Sequence, residues 1–281
     1  MQIIKTLKEL KNWRDGAKDK SLVFVPTMGA LHEGHKALIQ RANQEGGLTI
    51  VSIFVNPLQF APTEDLSKYP RTLEADLELC KTNGVAAVFM PTFEELYPNG
   101  MQNLVKIVPP LDLANCLADC LCGASRPGHF EGVLTVVAKL FNLVQPSKAC
   151  FGEKDFQQLV LIKRMVSDLN FNLEIIPVPT VRETSESFKG LALSSRNRYL
   201  SEEQKILATE IYATLCKARE LILSGEPVAK VIKDLTKDYF EYFEARDPES
   251  LQLSERLPLR LFVAVRIGST RLIDNLAVAE N

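Results

Sequence analysis

Over its first 180 residues the chain alternates short apolar runs with longer amphipathic segments. The apolar runs are 22–25, 48–55, 85–90, 149–151 and 173–178, and helical spacing is found at 35–45, 130–144 and 156–169. Thr72, a residue type favoured at N-caps, predicts a further helix with Glu74 and Asp76 in its first turn. The alternation predicts a parallel, doubly wound α/β sheet, whose ligands should lie beyond the carboxyl ends of its strands.

Beyond Pro179 the pattern changes. Helices are predicted at 202–223 and 228–245, and strands at 259–267 and 270–273. We therefore expect two domains, a doubly wound domain over 1–180 and a smaller α+β domain over 181–281. The hinge between them is expected near Pro177 to Arg182.

Composition and charge exclude several classes of protein. Hydrophobic residues make up 46% and charged residues 24%, as in ordinary globular proteins. The net charge of −2 gives no basic surface of the kind that binds nucleic acid. No stretch reaches the roughly 18 apolar residues that span a bilayer, and the first residues do not resemble a signal peptide. We expect a cytoplasmic protein without nucleic-acid or membrane partners.

The six cysteines are interpreted as reduced thiols, as is usual in the cytosol. Cys116, Cys120 and Cys122 lie close enough in sequence to suggest a metal site. The strong zinc spacings are absent, however, so a metal site is the poorer interpretation.

The sharpest chemical pattern is Pro26-Thr27-Met28-Gly29-Ala30-Leu31-His32-Glu33-Gly34-His35, after the first predicted strand. His32 and His35 are three residues apart, so both can face one ligand from a first helical turn. Gly34 leaves room for a ligand, and we expect the N–H groups of the turn to favour phosphate. The pattern is the His-x-Gly-His signature of nucleotidyltransferases. A zinc site is disfavoured, because only His129 remains to complete it.

A second strand-to-helix junction carries Gly152-Glu153-Lys154-Asp155, followed by Phe156-Gln157-Gln158. Lys154 offers a point charge to a phosphate, and Asp155 could accept hydrogen bonds from a ribose diol. In isolation such a run is more often a solvated loop. Its place at a second strand end, together with the histidine pattern, favours a nucleotide site.

A third pattern, Leu193-Ser194-Ser195-Arg196-Asn197-Arg198, lies in the predicted second domain. Serine hydroxyls beside an arginine suit phosphate, although the same residues also occur in polar turns. On a separate domain they could close over a triphosphate and exclude water from a labile intermediate.

Two further segments suggest an organic substrate. Asn56 and Gln59 follow the predicted strand at 48–55, where their amides could orient a carboxylate and hydroxyls. Arg126 and His129 lie in a loop that leads into an apolar helix. For both segments, structural capping is an equally good interpretation from the residues alone.

In this order the patterns resemble the pantothenate synthetase family, also called pantoate–β-alanine ligases. The resemblance runs from Pro26 to Tyr199 and returns at 270–275. His-x-Gly-His alone marks a superfamily, whereas Asn-Pro-x-Gln-Phe and Arg-Pro-Gly-His-Phe add specificity for this family. The resemblance implies a Rossmann-like HxGH nucleotidyltransferase domain for ATP and pantoate, followed by a smaller lid domain.

The resemblance also implies residue roles. The catalytic set would be His35 as proton donor, His32 as its phosphate-binding partner, Lys154 and Arg196. The resemblance assigns Gln59 to pantoate and β-alanine and Gln158 to pantoate, while Asn56 and Arg126 are candidate substrate residues from the two segments described above. The residues expected at ATP are Met28, Gly29, Ala30, Leu31, His32, Glu33, Gly34, His35, Gly152, Glu153, Lys154, Asp155, Val181, Leu193, Ser194, Ser195 and Arg196.

Cofactor and assembly follow from the resemblance alone. ATP would be a substrate with Mg²⁺ on its phosphates, and Asp76 is a candidate for helping to hold the metal. The small-molecule partners would be pantoate, β-alanine and ATP, and the chain would form a homodimer.

One segment departs from the family pattern, which commonly has Arg-x-x-Asp-Gly-Leu-Ala before Ser-Ser-Arg-Asn. Here seven residues separate Arg182 from Gly190, and Lys189 stands where aspartate is usual. We interpret the difference as a four-residue insertion in a surface loop, which costs little free energy. The adenine contacts and the closing geometry stay open at this point.

The expected reaction has two halves, attack of a pantoate carboxylate on ATP and then attack of β-alanine on the acyl adenylate. Two alternatives are an adenylyltransferase of the same superfamily and a non-catalytic nucleotide-binding protein. The charged residues retained in three separate motifs argue against a catalytically inactive site.

Overall fold

A computed structural model describes residues 1–60, 66, 69–109 and 118–279 of the chain. Cys116, one member of the cysteine group considered above, lies outside these residues. Within the described ranges no helix has both the length and the apolarity that crossing a bilayer requires.

Six parallel strands form the first sheet, in the spatial order β1-β4-β3-β2-β5-β6. The strands are β1 (Gln2–Ile4), β2 (Leu22–Thr27), β3 (Leu48–Ile53), β4 (Ala87–Phe89), β5 (Lys148–Gly152) and β6 (Glu174–Val178). From β2 the chain continues to β3 on one side, whereas β5 pairs with β2 on the other side. The strand order therefore reverses between β2 and β5, and ligands of such sheets bind beside the carboxyl ends at this point.

Seven helices alternate with these strands along the described part of the chain. They are α1 (Leu7–Gly16), α2 (Glu33–Gln44), α3 (Leu73–Thr82), α4 (Phe93–Leu96), α5 (Leu121–Ser125), α6 (His129–Val144) and α7 (Phe156–Asp168). α6 is apolar on nearly every side and almost wholly buried, as expected of a helix inside the core. The predicted strands and helices of this part are confirmed, with ends that differ by at most two residues.

β1 and α1 were not predicted, although the sequence contains a start signal for α1. β1 has 3 residues and lies at the sheet edge, too short for a periodic pattern. In α1 only Leu10 is buried, so its apolar face is narrow. Its N-terminus is a capping box, in which Thr6 and Glu9 exchange hydrogen bonds with each other's backbone N–H groups.

A second, antiparallel sheet is formed by three strands in the order β7-β8-β9. They are β7 (Phe240–Arg246), β8 (Arg260–Ile267) and β9 (Thr270–Ala277), and they pack with α8 (Glu202–Leu223) and α9 (Val228–Leu235). The predicted helix over 228–245 is wrong beyond Leu235. Its second half is a strand, because the aromatic residues at 239–243 favour extended backbone and Phe243 and Ala245 alternate toward the core.

The described residues group into two compact units. The first comprises Met1–Pro109, Arg126–Glu153 and Leu161–Pro179, and contains the parallel sheet. The second comprises 118–125, Lys154–Val160 and 180–279, and contains the antiparallel sheet. The last segment of the second unit begins at Thr180, and two earlier segments also group with that unit.

Candidate active site

The turn after β2 presents the two histidines at the start of α2. His32 is the N-cap residue of this helix, and its Nδ1 accepts a hydrogen bond from the Gly34 N–H at 3.1 Å. The His32 N–H in turn donates to Nδ1 of His35 at 3.3 Å. The ring centroids lie 4.2 Å apart, so both imidazoles occupy one small volume.

These bonds select one tautomer of each ring. A ring nitrogen that accepts a backbone N–H carries no proton itself, so the neutral imidazoles of His32 and His35 hold theirs on Nε2. Each ring can then donate through Nε2–H to an oxygen that gains negative charge. Gly34 is required here, because a Cβ at this position would lie 2.8 Å from Cε1 of His32.

The backbone of the turn differs from the prediction made from sequence. The N–H groups of Ala30 and Leu31 do not face a ligand, because they donate to the carboxylate of Asp76 at 2.9 and 2.8 Å. The Gly29 N–H donates to Oγ1 of Thr27 at 3.2 Å. The expectation that these amides bind phosphate is therefore wrong for Ala30 and Leu31, and the imidazoles become the main donors of the turn.

Asp76 likewise has a different role from the one considered above. Its carboxylate is 2% exposed and also accepts a hydrogen bond from Oγ1 of Thr72 at 3.0 Å. Thr72 precedes α3 as predicted but does not cap it through its side chain. Because protein donors occupy both oxygens of Asp76, we do not assign it to a metal.

Past β3, Asn56 holds Gln59 in place. Nδ2 of Asn56 donates to Oε1 of Gln59 and to the Gly132 carbonyl, both at 3.1 Å. Its Oδ1 accepts from the Tyr97 hydroxyl at 3.0 Å and from the Leu58 N–H at 3.4 Å. All four hydrogen-bonding positions of Asn56 are thus used within the protein. We therefore assign Asn56 to positioning Gln59, instead of to substrate binding as expected from sequence.

Gln59 itself lies next to the histidine turn. Its Nε2 is 3.0 Å from Sδ of Met28, which joins the predicted substrate residue to the predicted ATP turn. Its backbone carbonyl accepts Nδ1 of His129 at 2.8 Å and Nη2 of Arg126 at 3.4 Å. Nη1 of Arg126 is 2.9 Å from Nε2 of His129, so Arg126 and His129 support one side of Gln59.

In the second unit, the segment after β5 places Lys154 beside an open crevice. Its Nζ lies 3.6 Å from Oδ1 of Asp155, and its carbonyl accepts Nδ2 of Asn275 at 3.0 Å. The crevice is also lined by Ser194, Arg196 and Arg271. Cations and a hydroxyl around one opening suit an anion such as a phosphate.

The two glutamines at the start of α7 have separate environments. Gln157 is 5% exposed, donates to the Cys120 carbonyl and accepts the Cys122 N–H, so it holds the segment around α5. Gln158 is half-buried, and its side chain has no hydrogen-bond partner among the described residues. The structure thus separates a structural glutamine from one that can serve a ligand.

The serine–arginine pattern forms a short 3-10 helix over Ser195–Tyr199. Oγ of Ser194 accepts the Arg196 N–H at 3.3 Å, and Nδ2 of Asn197 donates to the Ala192 carbonyl at 3.0 Å. Leu193 donates its N–H to the Val181 carbonyl at 2.9 Å. Arg196 is exposed, so its guanidinium is accessible to a ligand.

The inserted loop is closed at its base. Arg182 makes a two-pronged ion pair with Asp274 at 2.6 and 2.8 Å, and its guanidinium stacks on the ring of Tyr212. The Gly190 N–H donates to the Glu183 carbonyl at 2.9 Å, and the Glu183 N–H donates to the Leu191 carbonyl at 2.8 Å. The insertion is therefore fixed at its base, and within it Phe188 lies beneath Nζ of Lys205, which is 5.6 Å from the ring centroid.

Comparisons with known proteins identify the family of the chain. The sequence profile of the family described as pantoate-beta-alanine ligase matches residues 2–277. The chain belongs to this family. A pantothenate synthetase from Moorella thermoacetica is 46% identical over 293 residues, with 100% of each chain covered.

Solved structures of the family show the same fold. A pantothenate synthetase from Thermus thermophilus matches with a TM-score of 0.90 and 44% identity, covering 100% of both chains. A pantoate-beta-alanine ligase from Francisella tularensis, complexed with beta-gamma ATP and beta-alanine, matches with a TM-score of 0.80 and 37% identity. That alignment covers 99% of this chain and 98% of the other.

Three features of this pantoate–β-alanine ligase site were missed by sequence reasoning. They are the contact of Asp76 with the histidine turn, the pairing of Arg182 with Asp274, and the bond from Asn275 to Lys154. Each joins residues that are far apart in sequence, so no local spacing predicts it. The group of Cys116, Cys120 and Cys122 is not tested, because Cys116 lies outside the described residues.

Proposed function

We propose that this chain uses ATP to join (R)-pantoate to β-alanine, giving pantothenate, AMP and pyrophosphate through a pantoyl adenylate. The observation that carries the proposal is the pair of imidazoles at the start of α2, whose Nε2–H groups are set by backbone bonds to Nδ1. Membership of the pantoate–β-alanine ligase family supplies the substrates.

In the first half-reaction a carboxylate oxygen of pantoate attacks the α-phosphorus of ATP. The bond from that phosphorus to the bridging oxygen breaks, and pyrophosphate leaves with the electron pair. We assign His35 and His32 to donate hydrogen bonds to the phosphate oxygens as negative charge develops. Removing one such donor in other enzymes costs about 10²–10³ in rate.

We assign the binding of the other phosphate groups of ATP to residues of the second unit. Lys154 would provide a point charge, and Arg196 with the Ser194 and Ser195 hydroxyls would hydrogen-bond phosphate oxygens. The crevice that Lys154, Ser194 and Arg196 line supports these roles. Asp155 and the backbone at Val181 are proposed to contact the ribose and the adenine, while residues 181–281 would act as a lid over ATP.

The organic substrates are assigned to amide side chains. Gln59 would bind pantoate and β-alanine, held by Asn56 and by the Arg126–His129 pair. Gln158 would bind pantoate. In the second half-reaction the β-alanine nitrogen attacks the acyl carbon, AMP leaves, and one proton leaves the nitrogen. No side chain forms a covalent bond, so neither a serine nor a cysteine is required as nucleophile.

Mg²⁺ is proposed to arrive as the complex with ATP. Mg²⁺ commonly keeps several waters and binds substrate phosphates with only one or two protein carboxylates. The described residues fit that mode, because they contain no cluster of three acidic, histidine or cysteine ligands. When bound, the ion would neutralise part of the phosphate charge. We further propose that the protein is a cytoplasmic homodimer.

Omitting one substrate at a time tests the function. AMP, pyrophosphate and pantothenate should appear in equal amounts only when ATP, Mg²⁺, pantoate and β-alanine are all present. Catalytic release of pyrophosphate in the absence of β-alanine would instead identify an adenylyltransferase. No product under any combination would refute the proposal.

A further inference from the structure

Asp76 connects α3 to the turn that carries the histidines. It is 2% exposed, although an isolated carboxylate is costly to bury. Three donors compensate that cost. The Ala30 N–H donates to Oδ2 at 2.9 Å, and the Leu31 N–H and the Thr72 hydroxyl donate to Oδ1 at 2.8 and 3.0 Å.

The turn that Asp76 contacts has an unfavourable backbone. Gly29 has φ of 81° and Ala30 has φ of 52°, so two successive residues are left-handed. Alanine rarely adopts this conformation, because its Cβ approaches the following carbonyl oxygen. Such a conformation persists only where its surroundings hold it, and the Asp76 carboxylate provides two hydrogen bonds for that purpose.

The same turn sets the histidines. Leu31, whose N–H is fixed by Asp76, directly precedes His32. The His32 N–H then donates to Nδ1 of His35, which determines the tautomer and orientation of that ring. A chain of backbone and side-chain bonds therefore runs from the Asp76 carboxylate to the imidazole of His35.

We propose that Asp76 is a positioning residue, which holds the Gly29–Leu31 turn so that His32 and His35 present their Nε2–H groups to the reacting phosphate. This inference rests on the proposed function of the histidines. It differs from a role as Mg²⁺ ligand, because the carboxylate is 2% exposed and protein N–H and O–H donors fill three of its roughly four acceptor positions.

The test compares Asp76→Asn with matched variants in pantoate-dependent exchange of pyrophosphate into ATP. Asparagine keeps one acceptor but directs an NH₂ group at one of the turn donors. A displacement of about 1 Å at a reacting group can cost on the order of 10²-fold. We expect kcat to fall roughly 10- to 100-fold, with the KM for pantoate and the Mg²⁺ dependence unchanged.

Two variants separate positioning from general destabilisation. Glu74→Gln removes an exposed carboxylate from the same helical turn and should leave the exchange rate unchanged. Cys80→Ala creates a small cavity under the same helix and should lower the melting temperature without lowering kcat. If Asp76→Asn is poorly folded, Thr72→Val removes only the third donor and should give a several-fold loss in kcat.

Nuclear magnetic resonance supplies a readout that does not depend on turnover. In Asp76→Asn the amide protons of Ala30 and Leu31 should shift, and the ring nitrogens of His35 should lose the signature of a single tautomer.

Two results would overturn the inference. One is a pyrophosphate exchange rate of Asp76→Asn equal to that of Glu74→Gln, and the other is an equal fall in the exchange rate of Cys80→Ala. A changed Mg²⁺ dependence would identify a metal ligand instead. If the wild-type protein shows no exchange, the proposed function fails, while the NMR comparison still tests the turn.

Discussion

The backbone N–H of His32 donates to Nδ1 of His35, its partner three residues along α2, at a distance of 3.3 Å. The ring of His35 therefore has two roles, since Nδ1 accepts the capping N–H while Nε2 carries the proton for the proposed hydrogen bond to phosphate. The cap also explains why the donor is ready before substrate binds, because the tautomer is fixed by the fold.

Substitutions of His35 can separate its two tasks. Asparagine can place its carbonyl oxygen near the position of Nδ1 and keep the cap, but it does not reach the position of Nε2. We expect His35→Asn to keep a melting temperature close to that of the wild type while pyrophosphate exchange falls on the order of 10²–10³. Glutamine at the third helical position can also accept the N-cap N–H, as Gln204 does in α8, so His35→Gln should likewise keep its melting temperature and lose exchange activity. Equal rates for His35→Asn and wild type would remove His35 from the mechanism.

Arg196 is expected to require its guanidinium and not only its charge. Arg196→Lys keeps the charge but loses the fork that binds two phosphate oxygens. One charged hydrogen bond contributes about 1.5–3 kcal/mol, so kcat/KM for ATP should fall roughly 10- to 100-fold. Arg198→Lys, at an exposed position on the same 3-10 helix, is the control. Similar losses in both variants would show that Arg196 has no special role.

The inserted loop should be dispensable, whereas its base should not. Deleting 185–188 restores the spacing of the family and leaves Arg182 and its partner Asp274 in place. Loop length contributes little to stability, so the free energy of unfolding should change by less than about 0.6 kcal/mol. The KM for ATP should also stay within twofold.

Asp274→Asn is the contrasting variant. Its carboxylate is 3% exposed and pairs with Arg182, so its removal leaves a buried guanidinium without its countercharge. Breaking such a pair costs about 3–5 kcal/mol, which urea unfolding would detect. If the deletion destabilised the protein as much as Asp274→Asn, the loop would be part of the fold.

Two thiols should resist alkylation in the folded protein. Burial raises the pKa of Cys80 to about 12, with a smaller contribution from the charge of Asp76, and burial also raises the pKa of Cys150 to about 12. The thiolate is the reactive form, so at pH 8 only about one in 10⁴ of each thiol is reactive. Mass spectrometry after iodoacetamide treatment should show labelling at half-buried Cys122 and Cys216 first, and at Cys80 and Cys150 only in urea. Rapid labelling of Cys80 in the native protein would contradict the buried position of this side chain.

The sequence predicted the structural elements that depend only on the pattern of neighbouring residues. The parallel strands are apolar runs, and the histidine turn is a fixed spacing, so both could be recognised without a structure. The helix over 228–245 failed because its apolar spacing continues into 239–243, where aromatic residues pack as a strand against β8. Local spacing cannot choose between these outcomes, since the choice depends on the partner strand.

The roles of single polar residues were the least predictable part of the site. Asn56 and Gln59 have the same chemistry and neighbouring positions, yet only the structure shows that Asn56 has four protein partners. Asp76 lies 46 residues from Ala30 in the chain, and their hydrogen bond depends on how α3 packs. Whether a polar residue serves a ligand or the fold is decided by such distant partners.

An oxygen-transfer experiment tests the central claim most directly. Pantoate with ¹⁸O in both carboxylate positions is converted with ATP, Mg²⁺ and β-alanine. The ¹⁸O content of each product is then measured by mass spectrometry. Attack on the α-phosphorus predicts that each AMP carries one ¹⁸O and each pantothenate keeps the other. Unlabelled AMP, with ¹⁸O in inorganic phosphate or pyrophosphate, would contradict the acyl-adenylate route and the role given to His32 and His35.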